Sequence, residues 1–220
     1  MNARSSPPRR WGIGSCIALV VVIGALAALP GARTTALTAA GRALVIDDPI
    51  EHADIIVVTI DAGAAGLLEA ADLVHGGTAT RAALFGEEPD SADREFQRRL
   101  PGYETANAVA ARQLRSLGVE SVESIPAAVT GTTDEGQAFA EWCQRRGFRS
   151  VVVVSASDHS RRVRRVLHRS MRGQPTKIMV RSARFSPFKA EQWWQTRGGT
   201  RSEVIELEKL LLDVVRHPLS

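Results

Sequence analysis

The sequence predicts an α/β fold, a Rossmann-like three-layer sandwich with a mainly parallel sheet, preceded by one N-terminal transmembrane helix. Runs of β-branched residues at 55–60 and 151–154 show no polar alternation, which is typical of strands buried on both faces. Such strands alternate along the chain with segments of helical periodicity, and this order favours a parallel sheet covered by helices. An uncharged stretch at 11–32 predicts the membrane helix.

Composition limits the classes of protein that the chain can belong to. Its 220 residues suffice for one membrane segment and one domain of about 170 residues with a real core. The net charge of +4 comes mainly from arginine, but the densest arginine run, at 161–172, lacks the interleaved aromatic residues of a single-strand binding surface. We therefore expect no nucleic-acid partner. No Cys/His cluster has zinc spacing, so no metal site is expected. Cys16 lies in the apolar N-terminal segment and Cys143 in the predicted domain, so no disulfide within the chain is expected.

The N-terminal segment predicts where the protein resides. Arg4, Arg9 and Arg10 lie in residues 1–10 and precede the apolar stretch 11–32, so the positive-inside rule places residues 1–10 in the cytoplasm. The prediction is a single-pass plasma-membrane protein with an extracytoplasmic domain. The alternative is a cleaved signal peptide, because residues 25–27 form an Ala-x-Ala site. The apolar run is long for a signal peptide, which favours a retained anchor, and both alternatives put the domain outside.

Residues 33–43 form a predicted linker or short helix, and residues 44–217 form the predicted α/β domain. Residues 44–46 are a possible edge strand, followed by the buried strand 55–60 and a helix at 64–74 that ends at Gly76 and Gly77. A second strand at 80–85 leads into a polar loop up to Pro101 and Gly102. A helix at 103–117 ends at Gly118, in keeping with glycine after a helix, and a short strand follows at 122–125.

The second half of the domain continues the alternation. Thr132 and Glu135 have the spacing of a capping box, which predicts the start of a helix with an apolar stripe through Phe139 and Trp142. The strand 151–154, the arginine-rich helix and a strand at 177–180 come next. A final amphipathic helix at 200–216 has a second capping-box pattern, from Thr200 to Glu203.

The turn after the strand 151–154 carries the best candidates for chemistry. In an open parallel sheet, ligands bind beyond the carboxyl ends of the strands, where His159 and Arg162 are placed. The positive helix N-terminus should favour a neutral imidazole at His159, able to act as an acceptor or base. Arg162 could hold a phosphate or carboxylate, and Ser157 and Asp158 belong to the same anion site. The alternative is a packed histidine beside a helix cap formed by Ser157 or Asp158.

Other candidate residues have structural explanations of comparable weight. Asp61 follows the first buried strand, where catalytic and metal-binding carboxylates often lie, but it could also cap the next helix. Glu135 is explained by the capping box, and Glu104 by a favourable position in the first turn of a helix. Trp193 and Trp194 form either a core pair or an interfacial anchor. There is no G-x-G-x-x-G after the first strand, no Walker A lysine and no G-x-S-x-G elbow, so the cofactor stays unknown.

Four segments in order resemble the YdcF/ElyC/SanA family, from about residue 44 to residue 215. They are the entry segment 44–58, the segment 118–139 with its Thr-x-Glu turn, the segment 151–163 with its His-x-x-Arg, and the closing Trp193-Trp194 with the last helix. The chain departs from the family at the glycine-rich turn, which here is Ile60-Asp61-Ala62-Gly63, at Phe85-Gly86 in place of Ser-Gly, and at Gly136 in place of asparagine.

The resemblance implies a Rossmann-like domain, often membrane-anchored, that serves envelope integrity and the metabolism of peptidoglycan lipid carriers. Among the candidate residues, those that match the family are Glu104, Glu135, His159 and Arg162. We predict catalytic roles for Glu135 and His159, and ligand-binding roles for Asp61, Gly63, Glu104, Ser157, Asp158 and Arg162. The expected ligand is a phosphorylated molecule such as a polyprenyl phosphate. Two alternatives remain, a non-catalytic interaction module of the envelope and a binder of a nucleotide-type cofactor such as S-adenosylmethionine.

Overall fold

The computed structural model describes residues 24, 29–87, 89–129 and 131–218. A five-stranded sheet lies at its centre, with the order β3-β2-β1-β4-β5 and parallel pairing throughout. The strands are β1 Ile55–Val58, β2 Arg81–Glu87, β3 Ser121–Val129, β4 Ser150–Ser155 and β5 Lys177–Ser182. The chain builds the sheet in one direction from β1 to β3 and in the other direction from β4 to β5. A topological switch point therefore lies between β1 and β4, and the predicted parallel α/β architecture is confirmed.

Seven α-helices have both ends within the described residues and connect or flank the strands. They are α1 Pro30–Leu44, α2 Gly63–His75, α3 Ser91–Arg99, α4 Ala106–Ser116, α5 Thr132–Arg146, α6 Ser160–Ser170 and α7 Arg197–Arg216. Single 3-10 turns occur at Ile60–Ala62 and Trp193–Gln195.

Two apolar layers cover the two faces of the sheet. Alternate residues of each strand point to opposite faces, so the valine and isoleucine runs supply both layers. One layer joins Val57 and Val153 to the aromatic residues of α5 and to the apolar stripe of α6. The other joins Val58 and Val154 to α2 and α4. Burial on both faces explains why the strand sequences lack polar alternation, and the predicted three-layer arrangement is confirmed.

The predicted edge strand at 44–46 is wrong, because Leu44 ends α1 and the following residues do not join the sheet. Instead, two carboxylates bind the edge of β5. Asp47 accepts hydrogen bonds from the Ser182 backbone and hydroxyl, and Asp48 accepts one from the Val180 N–H. The two carboxylates thus accept hydrogen bonds from β5 that the backbone of a neighbouring strand would otherwise have accepted. Residues 33–43 lie within α1, so the helix that was one of the two alternatives for them is confirmed.

Both predicted capping boxes are wrong. The residue before α5 is Gly131, which has no side chain to cap the helix. The Thr132 hydroxyl, predicted to be the cap, accepts a hydrogen bond from Arg162 instead. The last helix begins earlier than predicted, at Arg197, and Thr196 caps it by accepting the Gly199 N–H at 3.0 Å. A capping box does occur before α3, within the segment predicted to be a polar loop.

The N-terminal predictions fall largely outside the described residues. The segment 11–32 reaches the described part of the chain only at Gly24 and at the start of α1. Among the helices that are described, none is long and apolar enough to cross a bilayer. Trp193 and Trp194 meet edge to face at 5.9 Å and are both only partly buried, so the core pair is confirmed only in part. The Trp193 indole donates a hydrogen bond to the Leu37 carbonyl and thereby fixes α1 to the domain.

Gly136 marks a close approach between α5 and α6. A Cβ at this position would lie 2.7 Å from both Ser170 Oγ and Val166 Cγ1. We expect Gly136→Ala to destabilise the protein by about 1–3 kcal/mol through overpacking, measured by urea unfolding. Gly198→Ala is the matched control, because its Cβ would meet nothing within 4 Å and should stabilise α7 by about 0.4–1 kcal/mol. Equal effects of the two substitutions would contradict this explanation of Gly136.

Candidate functional site

Five elements bring their polar side chains together at the switch point. Asp61 follows β1, His159 follows β4, and Glu135 lies in the first turn of α5. Arg162 projects from the first turn of α6, and Glu206 comes from α7. The carboxyl ends of parallel strands and the N-termini of the helices that follow them meet at one edge of the sheet, which is why residues distant in sequence become neighbours here.

Asp61 ties the ends of β1 and β4 to each other. Its Oδ2 atom accepts hydrogen bonds from the Ser155 hydroxyl at 3.0 Å and from the Ala156 N–H at 3.1 Å. The same oxygen lies 4.0 Å from Nδ1 of His159. Asp61 does not cap α2, because Ala62 occupies that position and provides no side-chain cap. Asp61 therefore places a fixed negative charge beside His159.

Glu135 is a buried carboxyl group with a strongly shifted pKa. Only 4% of the residue is exposed, and its Oε1 atom accepts the Ile60 N–H at 2.9 Å. Burial raises the pKa of Glu135 to about 7, with a further contribution from Asp61, against the opposing effects of the Ile60 N–H, Arg162 and His159. This carboxyl group can take up or release a proton near neutral pH, as acid–base catalysis requires.

His159 lies between carboxylates on both sides of its ring. Nδ1 is 3.2 Å from Asp158, an ion pair rather than an aligned hydrogen bond, and Nε2 is 3.3 Å from Glu206. Burial on its own lowers the pKa of His159, but the carboxylates of Asp158, Asp61 and Glu206 outweigh it and raise the pKa above its ordinary value. The field of the helix N-terminus, predicted to favour a neutral imidazole, is thus opposed by three nearby carboxylates, which favour the protonated form.

Arg162 is paired within the protein. Its Nε and Nη2 atoms lie 2.9 and 2.8 Å from Oε2 of Glu206, and its Nη1 atom donates to Thr132 Oγ1 at 2.7 Å. The guanidinium group predicted to hold a ligand is thus held by Glu206 and Thr132. Lys209 adds a further contact to Glu206 at 2.7 Å.

Sequence reasoning did not place Glu206 or Glu203 at the site, and both are only 2% exposed. They lie 44 and 41 positions beyond Arg162, and no motif links them to it. The available signal was the periodicity of α7, in which Glu203, Glu206 and Leu210 share the inward face although two of them are acidic. Both carboxylate oxygens of Glu203 are buried without a hydrogen-bond partner, and burial raises its pKa, with a contribution from the charge of Asp158.

Ser157 and Asp158 are engaged in the turn that follows β4. The Ser157 hydroxyl donates to the Phe188 carbonyl at 3.3 Å, and its N–H donates to Ser186. Burial acts to raise the pKa of Asp158, but His159 and Ser202 outweigh it and hold the pKa below its usual range. Both side chains are already bound by the protein, which agrees with the structural alternative weighed for them.

A cavity of about 430 Å³ adjoins this polar cluster at the ends of β1 and β2. Gly63, Glu104 and Asn107 are among its lining residues, and its walls are mostly apolar. Gly63 has φ +50° and open space where a Cβ would lie, so the backbone can approach a ligand closely there. Glu104 pairs with Arg112 at 2.8 Å. Ile60 lines the cavity, and its N–H binds Glu135. The predicted site residues therefore form two groups that meet at Ile60. One group lines the cavity, and the other belongs to the acid cluster around Glu135.

The described residues contain no group of three or more His, Cys, Asp or Glu residues with the geometry to hold a metal ion. No protein-family model matches the chain, and no curated protein matches it. Among solved structures, the chain is similar to HcgE from Methanothermobacter marburgensis in its guanylylpyridinol- and ATP-bound form. The identity is 14% and the TM-score 0.27, over 79% of this chain and 100% of that one. That likeness is too low to carry an argument about function.

Proposed function

We propose that this protein binds a small molecule at the carboxyl edge of its sheet and that Glu135 exchanges a proton with it. The observation that carries the proposal is the buried Glu135 carboxyl group, whose pKa is raised to about 7. Burying an acid costs stability, and a neutral amide could accept the Ile60 N–H equally well. Perturbed carboxyl groups beside a cavity are typical of functional sites. His159 serves in this proposal as a cation that offsets the neighbouring carboxylates.

The proposed ligand is a phosphorylated molecule such as a lipid carrier. The apolar walls of the cavity suit a hydrocarbon portion, and Gly63 permits close approach of the backbone. The N-terminus of α5 at Thr132 offers backbone donors for a phosphate, with Arg162 beside it. Arg162 would then exchange part of its contact with Glu206 for the ligand.

We further propose that the chain is a membrane-anchored member of the YdcF/ElyC/SanA-like group, with an extracytoplasmic domain that acts in cell-envelope biogenesis or barrier integrity. The order of the four sequence segments supports this membership. The grouping of Glu135, His159 and Arg162 at one edge of the sheet is compatible with it. The apolar segment 11–32 would be the anchor.

One observation favours a second candidate function, a non-catalytic interaction module. Both nitrogens of His159 face carboxylates of the protein, and the fork of Arg162 is bound to Glu206. A site whose cations are paired internally can serve folding alone. The two candidates differ in whether a small molecule binds.

A thermal-shift screen of the full chain tests the first candidate. We would add pyrophosphate, nucleotide sugars, short polyprenyl phosphates or S-adenosylmethionine to the wild type, Glu135→Gln and Arg162→Ala. A ligand present at about 100 times its dissociation constant stabilises a protein by about 2.7 kcal/mol, an easily measured shift. We expect a shift from a phosphorylated compound that is lost in Arg162→Ala.

Arg164→Ala is the matched control, because Arg164 lies on the same helix but pairs with Asp48 outside the site. It should keep the ligand-induced shift. If none of these compounds shifts the melting temperature of the wild type, the interaction module becomes the better conclusion. A shift from S-adenosylmethionine alone would indicate the nucleotide-type cofactor.

A further inference from the structure

The outward face of α7 carries an apolar stripe that the domain does not cover. Val204 is 60% exposed, Leu211 57% and Val215 77%, with Ile205 and Leu212 beside them. The opposite face of the helix already packs inward through Glu203, Glu206 and Leu210, so the stripe is additional to what the fold uses. Val204, Leu211 and Val215, together with the charged residues Arg201 and Glu208, recur at alternating steps of three and four residues, which is the spacing of a helix–helix seam.

Two opposite charges interrupt this stripe one heptad apart. Arg201 and Glu208 fall on the same face as Val204 and Leu211, and both are exposed. Neither makes a hydrogen bond or an ion pair to any other described residue, although most other charged residues near the helix do. The outward face thus offers an unpaired cation and an unpaired anion on either side of an apolar pair, Val204 and Ile205.

We propose that the part of this face from residue 197 to residue 212 pairs two copies of the chain, α7 against α7 in antiparallel orientation. A two-fold axis between Val204 and Ile205 places Arg201 of each copy opposite Glu208 of the other and Val204 opposite Ile205. One symmetric contact then forms two ion pairs around an apolar centre, which is the self-complementarity that a two-fold interface requires. A parallel arrangement would put each charge opposite its like and is disfavoured.

The same charges argue against the bilayer as the occupant of this face. Glu208 lies in the middle of the apolar stripe, where immersion among lipid chains would leave a carboxylate without a partner. A second copy supplies that partner in Arg201. The proposal rests on α7 alone and does not depend on the acid cluster or its ligand.

A charge-swap cycle tests the proposal by sedimentation equilibrium of the full chain in density-matched detergent. Arg201→Glu and Glu208→Arg each place like charges opposite one another, so each should raise the dimer dissociation constant by about tenfold or more. The double variant Arg201→Glu/Glu208→Arg restores opposite charges and should return the constant to within about threefold of the wild type. Glu141→Arg, on the exposed face of α5, is the control and should leave the constant unchanged.

A wild-type chain that stays monomeric at about 100 µM would overturn the proposal. A double variant as weak as the single variants would also overturn it, because antiparallel pairing requires the swap to restore the contact. Far-UV circular dichroism of each variant confirms that the fold is kept, which is expected because both side chains are exposed.

Discussion

Replacing Glu206 by alanine should destabilise the protein by about 3–5 kcal/mol at pH 6–7, the usual cost of removing one partner from a buried ion pair. Glu206 is 2% exposed and contacts three cations, namely Arg162, His159 and Lys209. Among the described residues, the substitution leaves the guanidinium group of Arg162 with Thr132 as its one hydrogen-bond partner, in a site where the Arg162 side chain is 14% exposed. Urea unfolding of the variant and the wild type measures the difference.

The same variant should lower the pKa of His159, because one of the carboxylates that raise it is gone. A group whose pKa is raised in the folded state stabilises the fold fully below its unfolded pKa of about 6.5, and this contribution is lost as pH rises through the folded pKa. The destabilisation by Glu206→Ala should therefore be larger at pH 6 than at pH 9. NMR titration of the imidazole follows the pKa directly.

Glu141→Ala is the control, because Glu141 forms an exposed pair with Arg145 at 3.6 Å. Such pairs contribute about 0–1 kcal/mol. A loss below about 1 kcal/mol in Glu206→Ala would show that Arg162 and His159 do not depend on this carboxylate, and the acid cluster would then have to be explained without it.

The sequence was sufficient to predict the architecture because the signal for it is local. The run Val151, Val152, Val153 and Val154 can be buried on both faces only in a covered sheet, and Gly118 and Gly147 end their helices with the left-handed conformation that glycine adopts easily. The positions of Asp61 and His159 at the carboxyl edge of the sheet followed from the same pattern. The ends of helices and strands were less predictable where side chains accept hydrogen bonds from the backbone of a strand, as Asp47 and Asp48 do at the edge of β5.

The contacts within the site could not be predicted, because they depend on α7. Thr132 and Glu135 have the spacing of a capping box, yet Arg162 and the Ile60 N–H bind them instead. Local spacing favours the cap only while no stronger partner is near, and a guanidinium group is such a partner. The raised pKa of His159 could not be predicted for the same reason, since one of its carboxylate neighbours comes from α7.

The largest predicted gain in stability comes from Glu135→Gln. The pKa of Glu135 is raised from 4.5 to about 7 in the folded protein, so the folded state binds the proton more tightly than the unfolded chain does. The contribution of Glu135 to the free energy of unfolding is therefore most favourable below pH 4.5. It falls as the pH rises from 4.5 to 7 and is lost above pH 7. Glutamine at this position does not titrate, so this dependence of stability on pH is removed, and its side-chain oxygen can still accept the hydrogen bond from the Ile60 N–H. We expect the variant to exceed the wild type by about 3 kcal/mol at pH 8.

Urea unfolding of both proteins at several pH values between 4 and 9 measures this difference. Asp54→Asn is a control of opposite sign, because hydrogen bonds from the Ser150 and Arg149 N–H groups lower the pKa of Asp54. That variant should be less stable than the wild type by a constant amount above about pH 4, and the difference should shrink only as the pH falls below that value and Asp54 takes up a proton. A flat difference between Glu135→Gln and the wild type across the range would contradict the raised pKa of Glu135.

The sign of this effect also bears on function. A carboxyl group that lowers the stability of the fold above pH 7 is difficult to explain by folding, because the isosteric amide would fold better. If Glu135→Gln is more stable and still shows the ligand-induced shift of the wild type, the proton of Glu135 does not contribute to binding. The alternative outcome is that Glu135→Gln is more stable but its ligand-induced shift is lost or no longer depends on pH. That outcome would mean that the protein retains the carboxyl group of Glu135 for its ligand, although the group lowers the stability of the fold.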